Sequence, residues 1–198
     1  MTTRTDATLA GLVWPETAGT HALRFAVLTV VGTLLLTLSA KVTVPFWPVK
    51  MSLQTFAVLA LSAALGWRLA VATVALYLVE GALGAPVFQG TPDRGIGLAY
   101  MMGPTGGFLL GFLAQAFIVG HAAETWARGS ILRLGAAMLA SEVVMFALGI
   151  LWLGALLGWD KPVLEFGLYP FLLGDAVKLV LAAIAVPSVM RLLGGLRG

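Results

Sequence analysis

The chain has 198 residues, of which 60% are hydrophobic and 11% charged, with a mean hydropathy of +0.98 and a formal charge of +3. Such a balance lies outside the range of soluble globular domains and points to an integral membrane protein whose main solvent is lipid. With no Cys and only His21 and His121, disulfides, thiolate metal sites and metal cofactors are not expected, and the dispersed Lys and Arg argue against a nucleic-acid surface.

The first stretch, MTTRTDATLAGLVWPETAGT, lacks the basic start, apolar centre and cleavage site of a secretory signal and reads as a short polar tail over residues 1–20. Apolar runs follow at about 21–40, 52–66, 69–85, 104–122, 131–156 and 169–193, divided by Pro, Gly and charge. A helix needs roughly 20 residues to cross a ~30 Å hydrocarbon layer, so the natural reading is an all-α bundle of six transmembrane helices forming one domain over 21–193, with a short tail at 194–198. The second run is short and is expected to be thinly embedded or to continue into a loop that dips into the protein. Arg4, Arg24, Arg68, Arg128, Arg133, Arg191 and Arg197 then fall on one side, and Lys41, Lys50, Arg94 and Lys161 on the other. That bias places both termini in the cytoplasm and turns the loops at 41–51, 86–103 and 157–168 outward.

In the first outward loop, VPFWPVKMSLQTF, Pro45 and Pro48 favour extended backbone, leaving Phe46 and Trp47 as interfacial anchors or as lids over a pocket. Ser52 and Gln54 follow at the mouth of the short second span as neutral hydrogen-bonding groups. The second outward loop, GAPVFQGTPDRGIGLAY, carries Arg94, which is either simply solvated or a clamp for a carboxylate. Gly103, Gly107 and Gly111 recur every four residues and mark a smooth stripe for helix packing. No G-x-x-x-x-G-K-[ST] motif is present, so no ATPase is expected within the chain.

The last run holds GDAVK, with Asp175 and Lys178 one helical turn apart. If that helix enters from outside at Tyr169, Asp175 lies ~9 Å in and Lys178 ~4.5 Å deeper. An intramembrane charge costs about 2.5–3.5 kcal/mol at mid-helix. The two groups therefore read as a self-neutralising i,i+3 staple or as polar heads in an outward-facing cavity that binds a small solute.

The segments VPFWPVKMSLQTF, YLVEGALGAPVF, GPTGGFLLGF and YPFLLGDAVK, in this order across residues 40 to 180, resemble the BioY family, the biotin-binding S components of energy-coupling factor (ECF) vitamin transporters. The resemblance implies a six-helix ECF S-component bundle in a bacterial inner membrane. It also implies biotin as ligand, with a transmembrane coupling protein and cytoplasmic ATPase subunits as partners, and no cofactor. Asp175 and Lys178 match the family's sixth-helix motif and imply contact with biotin. Arg94 falls in a loop where the family uses a basic residue, while Gln54, Tyr77 and Gly84 fall in segments that line or shape the pocket. Phe46, Trp47, Val87 and Phe88 are expected to cover the apolar ring, and Ala22 with Ala26 to form the docking face for a partner helix. Lys50 and Glu80 depart from the family's pattern.

Two other classes stay open on the residues alone. A self-sufficient proton-coupled secondary transporter of biotin or a similar small carboxylate would use Asp175, Glu80 or Glu142 as proton carriers. An intramembrane enzyme has only Ser141 beside Glu142 to offer, and neighbouring helical residues point apart. Glu142 itself reads as an acid buried against a polar neighbour in the bundle, or one near the cytoplasmic interface.

Overall fold

The computed structural model describes residues 8–14, 20–44 and 51–195. Over these the elements run α1 (Leu9–Val13), α2 (His21–Lys41), β1 (Thr43–Val44), β2 (Met51–Ser52), α3 (Gln54–Leu65), α4 (Trp67–Ala82), α5 (Gly97–Met101), α6 (Gly106–Glu124), α7 (Ile131–Leu157), α8 (Val163–Gly167) and α9 (Tyr169–Gly195). All six apolar runs of the sequence are helical. Among the described residues, four stretches are long and apolar enough to cross a membrane: α2, α6, α7 and Val163–Leu193, which joins α8 to α9. At 12 and 16 residues, α3 and α4 would extend only ~18 and ~24 Å.

Gly66 alone separates α3 from α4, at φ +80°, a backbone region that a β-carbon disfavours. Its position is fixed from α6: Glu124 Oε1 accepts the Trp67 N–H at 3.1 Å, capping the start of α4. Helix α6 packs against α3, α4 and α7, and its widest contact is with α7. Glycine makes that approach close. A β-carbon at Gly107 would meet Trp152 and the Leu148 carbonyl, and one at Gly111 would meet Met145. The stripe expected to serve packing does so at these two positions. Gly103 instead gives its carbonyl to Trp152 Nε1 at 2.9 Å, fastening the loop before α6 to α7.

Large apolar side chains such as Leu34 and Leu38 of α2, Leu139 and Val143 of α7, and Leu173 and Leu181 of α9 are exposed. Stripes of this kind suit a lipid solvent, which carries no penalty for exposed leucine. Inward, one core cluster centres on Tyr77, Phe88, Phe112 and Met145, and a second on Leu59, Val119, Met138 and Ala182.

Two segments differ from their sequence reading. Residues 8–14 are not a free polar tail: Thr8 caps α1, Ala10 is buried, and α1 packs on α3 and α9. Ala10 and Gly11 supply its buried face, and the buried Arg24 donates from Nε to the Trp14 carbonyl at 2.7 Å. The loop expected at 41–51 begins and ends in an antiparallel ladder, with Thr43 opposite Ser52 and Val44 opposite Met51. Pro45, Phe46, Trp47, Pro48 and Lys50 lie outside the described residues, so the lid expected there has no structural description.

Candidate functional site

Beside this ladder lies a cavity of about 370 Å³, within the size range of small-molecule sites. Met51, Ser52, Gln54 and Thr55 form one wall, and Gln89 and Tyr100 of the loop at 86–103, with Thr105 at the start of α6, form another. Phe108 and Phe112 of α6, Phe146 of α7, Phe166 of α8 and Phe171 of α9 supply aromatic surface. Asp175 and Lys178 complete the lining from α9.

These two residues form a buried ion pair, with Lys178 Nζ donating to Asp175 Oδ1 at 2.7 Å. The pair therefore links successive turns of α9 and also lines the cavity. Only Oδ1 of the carboxylate is engaged by Lys178, and a carboxylate accepts several hydrogen bonds. The ammonium likewise has three protons to place. A ligand presenting both donors and an acceptor can engage the pair without breaking it.

Opposite, the neutral wall is built through a relay. Gln54 Nε2 donates to Tyr77 Oη at 2.8 Å, and Tyr77 in turn donates to the Val87 carbonyl at 3.0 Å. Tyr100 donates to the Gln89 carbonyl at 2.8 Å. Phe88 stacks on Tyr100 with centroids 5.0 Å apart and meets Tyr77 edge-on at 5.3 Å. Burial pushes the Tyr100 phenol above the ordinary tyrosine range, while a Thr105 hydrogen bond and the Arg94 charge pull the other way. Tyr100 therefore stays a protonated donor.

The expected site residues thus divide. Gln54, Asp175 and Lys178 share the cavity wall. Tyr77, Val87 and Phe88 do not line it: Tyr77 is 0% exposed, and the three form the packed layer that holds Gln54 and the loop. Tyr77, expected to line or shape the pocket, stands behind its wall, and Val87 and Phe88, expected to cover a ligand ring, lie outside the lining because the loop folds Phe88 inward between two tyrosine rings. Gly84 also stays out of the lining; at φ +96° it lets the chain turn after α4. Arg94 is exposed on its loop, outside the lining, with its backbone N–H bonded to the Gly90 carbonyl at 2.9 Å. Glu80 accepts from Thr33 Oγ1 of α2 at 3.1 Å and so braces α2 against α4. Ala22 and Ala26 are exposed on α2. Phe46 and Trp47 lie outside the described residues.

Sequence reasoning passed over Lys41. Its Nζ donates to the Phe88 carbonyl at 3.0 Å, the Thr91 carbonyl at 2.7 Å and Thr91 Oγ1 at 2.8 Å. The cation at the end of α2 thereby ties down the loop that carries Gln89 and Tyr100. Thr55, Gln89, Tyr100, Thr105 and the five cavity phenylalanines were also missed. A usable signal existed for Tyr100, a polar aromatic in a Gly-rich loop, but none for phenylalanines in an apolar helix.

A model of the BioY family matches residues 8–195. The chain belongs to the BioY family. Among its relatives, the probable biotin transporter BioY of Pyrococcus horikoshii is 35% identical over 170 residues, spanning 86% of this chain and 92% of that protein. The biotin transporter BioY of Thermotoga maritima is 32% identical over 160 residues, spanning 81% and 92%. The crystal structure of an S-component for biotin from an ECF-type ABC transporter shares the fold, with a TM-score of 0.72 at 18% identity over 89% of this chain and 95% of that one.

Proposed function

We propose that this BioY-family chain captures biotin from outside the cell as the S component of an ECF transporter and delivers it inward when partner ATPases drive the bundle. The observation that carries this reading is the buried Asp175–Lys178 pair in the wall of an otherwise largely apolar cavity. Biotin offers two ureido N–H donors, a ureido carbonyl and a carboxylate on an apolar chain. Asp175 accepts the ureido donors, Lys178 serves the carbonyl or the tail carboxylate, and Gln54 adds a neutral contact. Arg94, nearer the surface, attracts the tail, and the segment bearing Phe46 and Trp47 closes over the ring. A nanomolar site needs ~12 kcal/mol, or about 0.8 kcal/mol for each of roughly sixteen heavy atoms, which demands near-complete enclosure.

In this reading α2, α3, α4, α6, α7 and α9 are the six spans, both termini are cytoplasmic, and the exposed Ala22 and Ala26 face the transmembrane coupling protein. Energy comes from separate cytoplasmic ATPases. Uptake of labelled biotin in a host without its own biotin transport tests the partnership. Accumulation is expected only with coupling protein and ATPases present, and to stop on ATP depletion. Uptake that persists without them and collapses with a protonophore would instead establish the self-sufficient proton-coupled reading.

A further inference from the structure

Between α7 and α9 a second crevice of about 470 Å³ meets the cavity at Phe146 and Asp175, and Glu142 lines it. Glu142 sits eleven residues into α7 and fifteen before its end, or ~16 and ~22 Å along the axis, which is mid-bundle depth. It is 5% exposed, and neither carboxylate oxygen has a hydrogen-bond partner. Gln115 of α6 is 0% exposed and lies against it, with both amide atoms also unpartnered. The charged groups facing Glu142 are Asp175 and Lys178 of α9, which are already bonded to each other.

This layer holds two carboxylates against one ammonium, and the ammonium is committed to Asp175. As a carboxylate, Glu142 has only acceptors, so the Gln115 amide oxygen beside it finds no donor. One added proton changes the count. The Glu142 hydroxyl then donates to Gln115 Oε1 while Gln115 Nε2 donates to the Glu142 carbonyl oxygen, and all four unpartnered atoms are satisfied in one ring. We propose that Glu142 and Gln115 form a proton-binding site beneath the ion pair, holding one proton in a carboxylic acid–amide ring. The neutral acid does not compete with Asp175 for Lys178, so the charge pattern presented to the cavity is that of the Asp175–Lys178 pair alone. The inference does not depend on the identity of the transported ligand.

Infrared spectroscopy of the purified full-length chain in detergent at neutral pH tests it. The expected spectrum contains a carboxylic acid carbonyl band that disappears in Glu142→Gln and shifts in Gln115→Leu, where the ring loses its amide. If Glu142→Gln does not fold, Glu142→Asp and Gln115→Leu each still move the band. Absence of the band from the wild type, or its survival unchanged in these variants, overturns the proposal. A Glu142 carboxylate signal that shifts when sodium replaces choline would overturn it in favour of a bound metal cation.

Discussion

Replacing Lys41 by Met keeps most of the side chain's length but removes the ammonium that holds the loop at 86–103. Three acceptors lose the ammonium as a donor: the Phe88 carbonyl, the Thr91 carbonyl and Thr91 Oγ1. Hydrogen bonds to a charged donor contribute about 1.5–3 kcal/mol each when buried. Here the groups are part-buried, water can replace some of the loss, and Thr91 Oγ1 still donates to the Phe88 carbonyl at 2.7 Å. A net change of about 1.5–3 kcal/mol in the opening of this loop follows, or roughly a 10- to 160-fold rise in its open population. Amide hydrogen exchange reads that population directly at Thr91, Arg94 and Gly95, whose N–H groups bond within the loop. Exchange there should accelerate by that factor while amides in the middle of α6 stay unchanged. Ligand affinity should fall in the same variant, because Gln89 and Tyr100 are carried on the loop. Unaltered exchange at all three amides would refute the assignment of Lys41 as the tie.

Gly107→Val places a branched side chain against Trp152 and the Leu148 carbonyl, where backbone cannot yield easily; overpacking of this kind should lower stability by about 1–3 kcal/mol or more in a thermal unfolding assay in detergent. Tyr77→Phe removes the hydroxyl between Gln54 and the Val87 carbonyl. It should cost about 1–3 kcal/mol and weaken ligand binding without any direct ligand contact, a loss that titration alongside thermal unfolding detects. Ala26→Trp on the exposed face of α2 should reduce recovery of the coupling protein in co-purification while biotin binding is retained; normal recovery would remove Ala26 from the docking face.

The helices were legible because lipid simplifies the problem: a segment that satisfies its backbone alone must be helical, so apolar runs bounded by Pro, Gly and charge map onto α2, α3, α4, α6, α7 and α9. GDAVK was legible for a related reason, since two charges in an apolar run need each other or a ligand. Tertiary choices were not. Phe88 reads as a ring cover in an outward loop, yet it folds between Tyr77 and Tyr100 because the loop returns over α4. Lys41 reads as an ordinary interfacial cation, since its acceptors are backbone carbonyls about fifty positions away and invisible to local pattern. The helix at Leu9–Val13 was masked by the polar residues around it, and only its packing on α3 and α9 explains its order. Glu142 reads as either buried in the bundle or near an interface, and its burial against Gln115 requires the α6–α7 packing set by Gly107 and Gly111.

The most direct test is a calorimetric titration of biotin into the purified chain, with Asp175→Asn and Lys178→Ala measured beside it. Tight one-to-one binding that each substitution weakens tenfold or more is the predicted result, a tenfold loss being about 1.4 kcal/mol. Folded protein that binds no biotin, or binds it equally well in all three forms, would contradict the account and leave the pair as a structural staple of α9.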